Sequence, residues 1–172
     1  MAKRIFSARR WRVTIGVAVA MSAFAIGVAW GQQRSGAAKT LATRDILDIQ
    51  QLGARYAYGL DTGADNGYYY ANVFTSDGSF GTTVGREKLA ELAREGGGRL
   101  KFRGYQHIVT NVIVEPTPEG AKGSQYIQVL TVGGKGKPPM IDHGGRYEDL
   151  YVKTAEGWRI KSRTYVRTFP PN

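Results

Sequence analysis

The chain contains no cysteine among its 172 residues. That absence excludes disulfides, thiol nucleophiles, thiolate zinc sites and a lipidated N-terminal cysteine. Only two histidines, His107 and His143, are present, and they stand too far apart in sequence for a metal-ligand motif. No metal and no cofactor is therefore expected. A nucleophile elbow, a phosphate loop and a dinucleotide fingerprint are also missing; the glycine-rich stretches around Gly97 and Gly133 lack the lysine-serine ending of a phosphate loop and read as loops. Long apolar runs are scarce as well, with a single exception at the start of the chain.

That exception is a leader. Lys3, Arg4, Arg9, Arg10 and Arg12 precede an apolar and small-residue run from Val13 to Trp30, the order of a charged and then a hydrophobic signal region. Ala29 and Gly31 offer small side chains to a signal peptidase, so residues 1–31 are expected to be a signal peptide cleaved after Gly31. The alternative is an uncleaved anchor, and only then would the membrane be a partner, because about 18 residues is the lower limit for spanning a bilayer. The order Ser7-Ala8-Arg9-Arg10-Trp11 is close to a twin-arginine signal with one extra residue, so Sec and twin-arginine export both stay open. Either route places the protein in the periplasm or outside the cell.

Five of the 24 basic residues and none of the 14 acidic ones lie in the leader, so the formal charge of +10 falls to +5 over the rest. The remaining basic residues are scattered among acids without an aromatic-interleaved basic face, which argues against nucleic acid as a partner. Residues 32–42 are small and polar and read as a spacer. A single domain over residues 43–169 follows, since the length supplies one core and not two.

Within that domain, Ile46, Ile49, Leu52, Tyr56 and Leu60 recur at spacings of three and four, predicting an amphipathic helix over about 44–60 with Thr43 as its cap. A short helix over 68–74, a strand over 79–83 and a third helix over 85–94 follow, the last closed by Gly96-Gly97-Gly98. Four β-rich segments, 105–115, 124–132, 140–153 and 157–168, complete the chain. Helices first and a bent, mostly antiparallel sheet afterwards make the fold class α+β.

Two of the chemistry-bearing residues fall where they could meet. Asp61 stands where the first helix opens into its loop, and strand alternation puts Tyr105, His107, Val109 and Asn111 on one face. A carboxylate on one imidazole nitrogen fixes the tautomer and raises the basicity of the other, giving a general base near neutral pH. Read from spacing alone, Asp61 is equally a turn residue and His107 a packed strand residue. His143, beside Asp142 and a Gly-Gly pair, reads as a rim residue. Tyrosines are abundant on the inner elements; most are core, while Tyr56, Tyr58, Tyr105, Tyr126 and Tyr147, together with Asn111, are candidates to line an amphipathic pocket.

Five segments together carry a resemblance: Arg55 to Gly63 (RYAYGLDTG), Val73 to Phe80 (VFTSDGSF), Gln106 to Asn111 (QHIVTN), Tyr147 to Lys153 (YEDLYVK) and Gly157 to Ile160 (GWRI). In order and spacing the chain resembles the SnoaL-like branch of the NTF2-like superfamily over roughly residues 43–168. The resemblance implies a cone of three helices against a strongly curved sheet, often paired into homodimers or homotrimers. Lyase-type members such as lindane dehydrochlorinase and scytalone dehydratase are similar in placing an Asp and a His where Asp61 and His107 stand. The dehydrochlorinase pattern also implies an anion-stabilising arginine at Arg163. The dehydratase's second catalytic histidine has no counterpart, since the matching strand reads Gln125-Tyr126-Ile127-Gln128-Val129. The expectation is thus a lyase or isomerase acting on a small apolar or cyclic organic molecule with Asp61, His107 and Arg163 as catalytic residues; the alternative is a ligand-binding or accessory protein of the same fold without turnover.

Overall fold

The computed structural model describes residues 40–131, 136 and 138–169, the side chains of 96–103 excepted. The leader and most of the 32–42 spacer expected from the sequence lie outside the described residues, as does most of the 133–137 loop. No helix among the described residues is long and apolar enough to cross a membrane.

Helix α1 (Thr43–Thr62) buries Ile49, Leu52, Gly53, Tyr56, Ala57, Gly59 and Leu60, the three-and-four spacing of one apolar face. Thr43 is the first helical residue and not the cap: Ala42 takes the cap position with no side-chain hydrogen bond. The orphan N-terminus is served instead by Asp45 in the first turn. Its Oδ1 also accepts Trp158 Nε1 at 2.8 Å and Lys153 Nζ at 2.7 Å, fastening the helix start to the sheet. Lys153 first and Trp158 second hold the Asp45 carboxyl below its usual range. At the other end Gly63 caps the helix, its N–H bonding the Gly59 carbonyl at 2.9 Å.

A single 3-10 turn (Asp65–Gly67) leads into α2 (Tyr68–Ala71), shorter than expected because the chain turns to strand β1 (Phe74–Phe80). A two-residue β2 (Thr83–Val84) and α3 (Arg86–Arg103) follow. The triple glycine does not end α3. The helix runs through it and stops at Gly104, whose φ of +63° is the left-handed geometry that glycine adopts without strain. Glycine inside a helix costs about 1 kcal/mol relative to alanine, a weak preference that tertiary context overrides.

Strands β3 (Tyr105–Pro116), β4 (Ala121–Thr131), β5 (Met140–Thr154) and β6 (Gly157–Phe169) join β1 and β2 in one six-stranded curved sheet with order β2-β1-β6-β5-β4-β3. Every pairing is antiparallel except β1 with β6. The helices pack on one face of this mixed sheet, the α+β arrangement expected. The core between them is aromatic: Tyr56 lies 4.9 Å from Tyr70, 5.3 Å from Tyr147 and 6.1 Å from Phe80, ring centroid to centroid. Tilted and edge-on pairs of this kind contribute about 0.5–1.5 kcal/mol each beyond their burial.

Two backbone features aim the site. Gly53 allows α1 to press on the sheet, since a Cβ there would stand 2.6 Å from Gln125 Oε1 and 3.4 Å from Val109 Cγ1. Strand β3 also carries a bulge, with register shifting between Thr110 and Ile113 and Asn111 at φ +55°. One extra residue in a strand reverses which face the following residues occupy. Tyr105, His107 and Val109 therefore point inward before the bulge, and Val114 packs on the core after it.

Candidate active site

α1 ends over the start of β3, and there the two predicted partners meet. Asp61 Oδ1 lies 2.5 Å from His107 Nδ1, and Asp61 Oδ2 accepts the His107 backbone N–H at 3.0 Å. The carboxylate thus grips one residue twice, fixing both the strand position and the ring plane. With Nδ1–H donated to Asp61, the outer nitrogen Nε2 is left as the basic one. No described residue hydrogen-bonds it. The side chains keep 10% exposure at His107 and 18% at Asp61, so the pair is sheltered yet reachable.

Arg163 is placed differently from the expectation. Its guanidinium makes a two-pronged pair with Asp149, Nε to Oδ1 at 2.8 Å and Nη2 to Oδ2 at 2.7 Å, and both side chains have 0% exposure. Asp149 Oδ2 further accepts Gln125 Nε2 at 3.0 Å and Tyr151 OH at 2.6 Å. The arginine is sandwiched, its Cζ 4.1 Å from the Tyr56 ring centroid and 4.4 Å from that of Tyr147. Burial by itself lowers the arginine pKa, but the Asp149 charge and hydrogen bonds outweigh it and hold the group above its ordinary value. Only Nη1 lacks a hydrogen-bond partner.

Of the six residues expected to line a pocket, three share the inner face with the dyad. Tyr105 packs half-buried beside His107, while Tyr56 and Tyr147 are buried, and the Tyr56 hydroxyl donates to that of Tyr147 at 3.2 Å. Burial first of all pushes both phenols well above 10, with Tyr70 adding to the rise at Tyr56 and Tyr56 to that at Tyr147. The other three do not join them. Tyr58, 57% exposed, makes an edge contact with Tyr69 on the outer side of α1. Tyr126 is 50% exposed because alternation in β4 gives the inward places to Gln125 and Ile127. Asn111, expected beside His107, is displaced by the bulge and lines with Tyr126 a groove of about 470 Å³ on the outer sheet face.

Sequence reasoning gave no site role to Asp149 or Gln125. The signal for Asp149 was available: an acid between Tyr147 and Tyr151 on an otherwise apolar inward face demands a buried cation. Among the described residues no group of three or more potential metal ligands is gathered.

The SnoaL-like domain model matches residues 42–164, most of the chain. The chain belongs to the SnoaL-like domain family. Solved structures agree with that placement of the domain. A variant of Rv3472 from Mycobacterium tuberculosis, described as a protein of unknown function, is 27% identical with a TM-score of 0.64, covering 74% of this chain and 78% of that one. An NTF2-like protein with a cystatin-like fold from Novosphingobium aromaticivorans is 19% identical with a TM-score of 0.66, covering 74% and 84%. A putative scytalone dehydratase from the same organism is 24% identical with a TM-score of 0.59, covering 72% and 84%. These last two likenesses establish fold alone. Among curated proteins none matches this SnoaL-like chain.

Proposed function

We propose that this SnoaL-like protein is a small-molecule lyase or isomerase in which His107, oriented by Asp61, removes a proton from a cyclic organic substrate. The observation that carries this reading is the double grip of Asp61 on His107, which leaves Nε2 without a partner among the described residues. A base needs that combination: a fixed ring, a carboxylate to stabilise the imidazolium, and a nitrogen open to the substrate. A developing oxyanion would be met by a phenol. Tyr147 accepts its hydrogen bond from Tyr56 and keeps its own proton to donate, and burial keeps that phenol protonated. Arg163 has no exposed surface with which to touch a substrate. It acts instead by stacking between Tyr56 and Tyr147 and holding their rings.

Screening cyclic alcohols, ketones and halides by NMR for loss or migration of a double bond tests the reading. Replacing His107 by Ala should cost about 10²–10⁴-fold in turnover with ligand affinity retained, and Asp61→Asn should follow in the same direction. A change of affinity with no turnover in the wild type would instead identify a ligand-binding protein.

We also propose export by the N-terminal leader with cleavage after Gly31, and a homodimer or homotrimer as the working assembly. Mass spectrometry of the mature N-terminus and sedimentation of residues 32–172 decide these two points.

A further inference from the structure

The β5–β6 hairpin closes at the end of the sheet away from the dyad. Thr154 pairs with Gly157 there, and His143, in register with His107 through Val129, stands about 35 Å back along the strand. The hairpin, the start of β1 and the first residue of α3 enclose a cavity of about 540 Å³.

Two of its walls are arginines from different elements. Arg86 opens α3, its Cζ 5.2 Å from the centroid of the Tyr68 ring, and has no carboxylate or hydrogen-bond partner among the described residues. Its platform is itself held, because the Tyr68 hydroxyl donates to Glu87 Oε2 at 2.6 Å. Gly85, at φ +93°, ties this helix start to β1 through its N–H on the Gly78 carbonyl at 2.8 Å. Arg159 comes from β6. Its Nη1 donates to the Trp158 carbonyl at 2.9 Å and its side chain is 20% exposed, so the guanidinium is anchored at one edge and open at another. Glu156 is the one acid in the lining, and its Oε2 reaches Arg159 Nη2 only at 3.4 Å from a side chain that is 84% exposed. A long, solvated contact of that kind contributes little and is readily exchanged. The side chains of Asn72 and Ser76, also in the lining, make no hydrogen bond among the described residues.

We infer that this cavity binds the phosphate group of a small molecule, with Arg86 and Arg159 as its two prongs, Asn72 and Ser76 as neutral donors, and Glu156 as the group it displaces. Charge selects the ligand. A phosphate monoester carries about −1.5 to −2 charges near pH 7 and three acceptor oxygens, enough to engage two guanidinium forks. A carboxylate brings one charge and two oxygens, and a single arginine spans both, as Arg163 does at Asp149. The N-terminal end of α3 adds positive potential of the same sense. Nothing in this site draws on Asp61 or His107, so it stands apart from the proposed chemistry.

Isothermal titration calorimetry of the full chain with inorganic phosphate, phenyl phosphate and acetate tests the inference, with thermal melts to verify that each variant is folded. Arg86→Gln, at an exposed position, should weaken phosphate binding by about tenfold or more, and Arg159→Gln should do the same. Because both changes leave the basic leader intact, the loss reports this cavity alone. Glu156→Gln should act in the opposite sense and tighten binding a few fold by removing the competing carboxylate. Affinity should also fall as pH drops through about 6, where phosphate loses its second charge. Tighter binding of phenyl phosphate assigns an organic monoester, and equal affinities assign free phosphate. Unchanged affinity in a folded Arg86→Gln, weaker binding in Glu156→Gln, acetate binding as tightly as phosphate, or no saturable binding at millimolar phosphate would each overturn the inference.

Discussion

Two carboxylate-centred pairs occupy the inner face of this sheet, and they are built to opposite ends. Asp149 is closed on every side: Arg163 takes both oxygens, Gln125 and Tyr151 add to one of them, and two phenol rings cover the guanidinium faces. Asp61 spends both oxygens on one residue and leaves the far nitrogen of that residue free of partners among the described residues. The first arrangement has no exposed surface; the second keeps a modest opening. The lesson is that a buried carboxylate and its partner say little by themselves. Whether the outward atom of the pair can be reached decides between scaffold and chemistry.

The comparison breaks most easily at the closed pair. Removing one partner of a buried ion pair leaves an uncompensated charge, a loss of about 3–5 kcal/mol. Asp149→Ala should therefore lower the denaturation midpoint severely, and the double variant Asp149→Leu with Arg163→Met should recover much of the loss. Asp61→Asn should leave the midpoint far less affected. Urea unfolding of the four proteins checks this, and a catastrophic Asp61→Asn beside a mild Asp149→Ala would reverse the assignment of roles.

Alkaline titration sharpens the same contrast, because the phenols around Arg163 belong to the closed region. Burial first of all raises Tyr56, Tyr70 and Tyr147 above their ordinary value of 10. Their folded pKa values exceed the unfolded ones, so the stabilisation is fully present below pH 10 and is lost as pH climbs from there toward the folded values. Unfolding followed by phenolate absorbance should show these tyrosines ionising together with loss of structure, and not in a separate earlier step.

The sequence made the open pair legible, whereas for the closed one it signalled the buried acid but not its partner, for a physical reason. Asp61 lies at a helix end and His107 on an alternating strand, both local patterns. The Asp149–Arg163 pair joins neighbouring strands through a register, Asp149 opposite Arg163, that sequence periodicity does not specify. The fold class followed from the order of helical and strand periodicities. Element ends failed where tertiary context overrode a weak preference, as in the helix running through Gly96, Gly97 and Gly98. Asn111 failed for a related reason: alternation assumes an unbroken strand.

That bulge also relates the two pairs, and the smallest expected effect tests it. His107 sits in the row with Val129 and His143, whereas Val114 sits in the row with Gly123, Asp149 and Arg163. An odd-numbered step of seven residues along β3 separates His107 from Val114, so an uninterrupted strand would turn one of them outward. The bulge at Asn111 absorbs the odd residue and lets both rows face inward. Its left-handed backbone suits asparagine or glycine and costs a β-branched residue about 1–2 kcal/mol. Asn111→Gly should therefore be close to neutral and Asn111→Val should lower stability by about that amount, as read by thermal melts. If valine proves as stable as asparagine, the strand does not carry this bulge, and the geometry that lets one strand serve both the open and the closed pair would have to be redrawn.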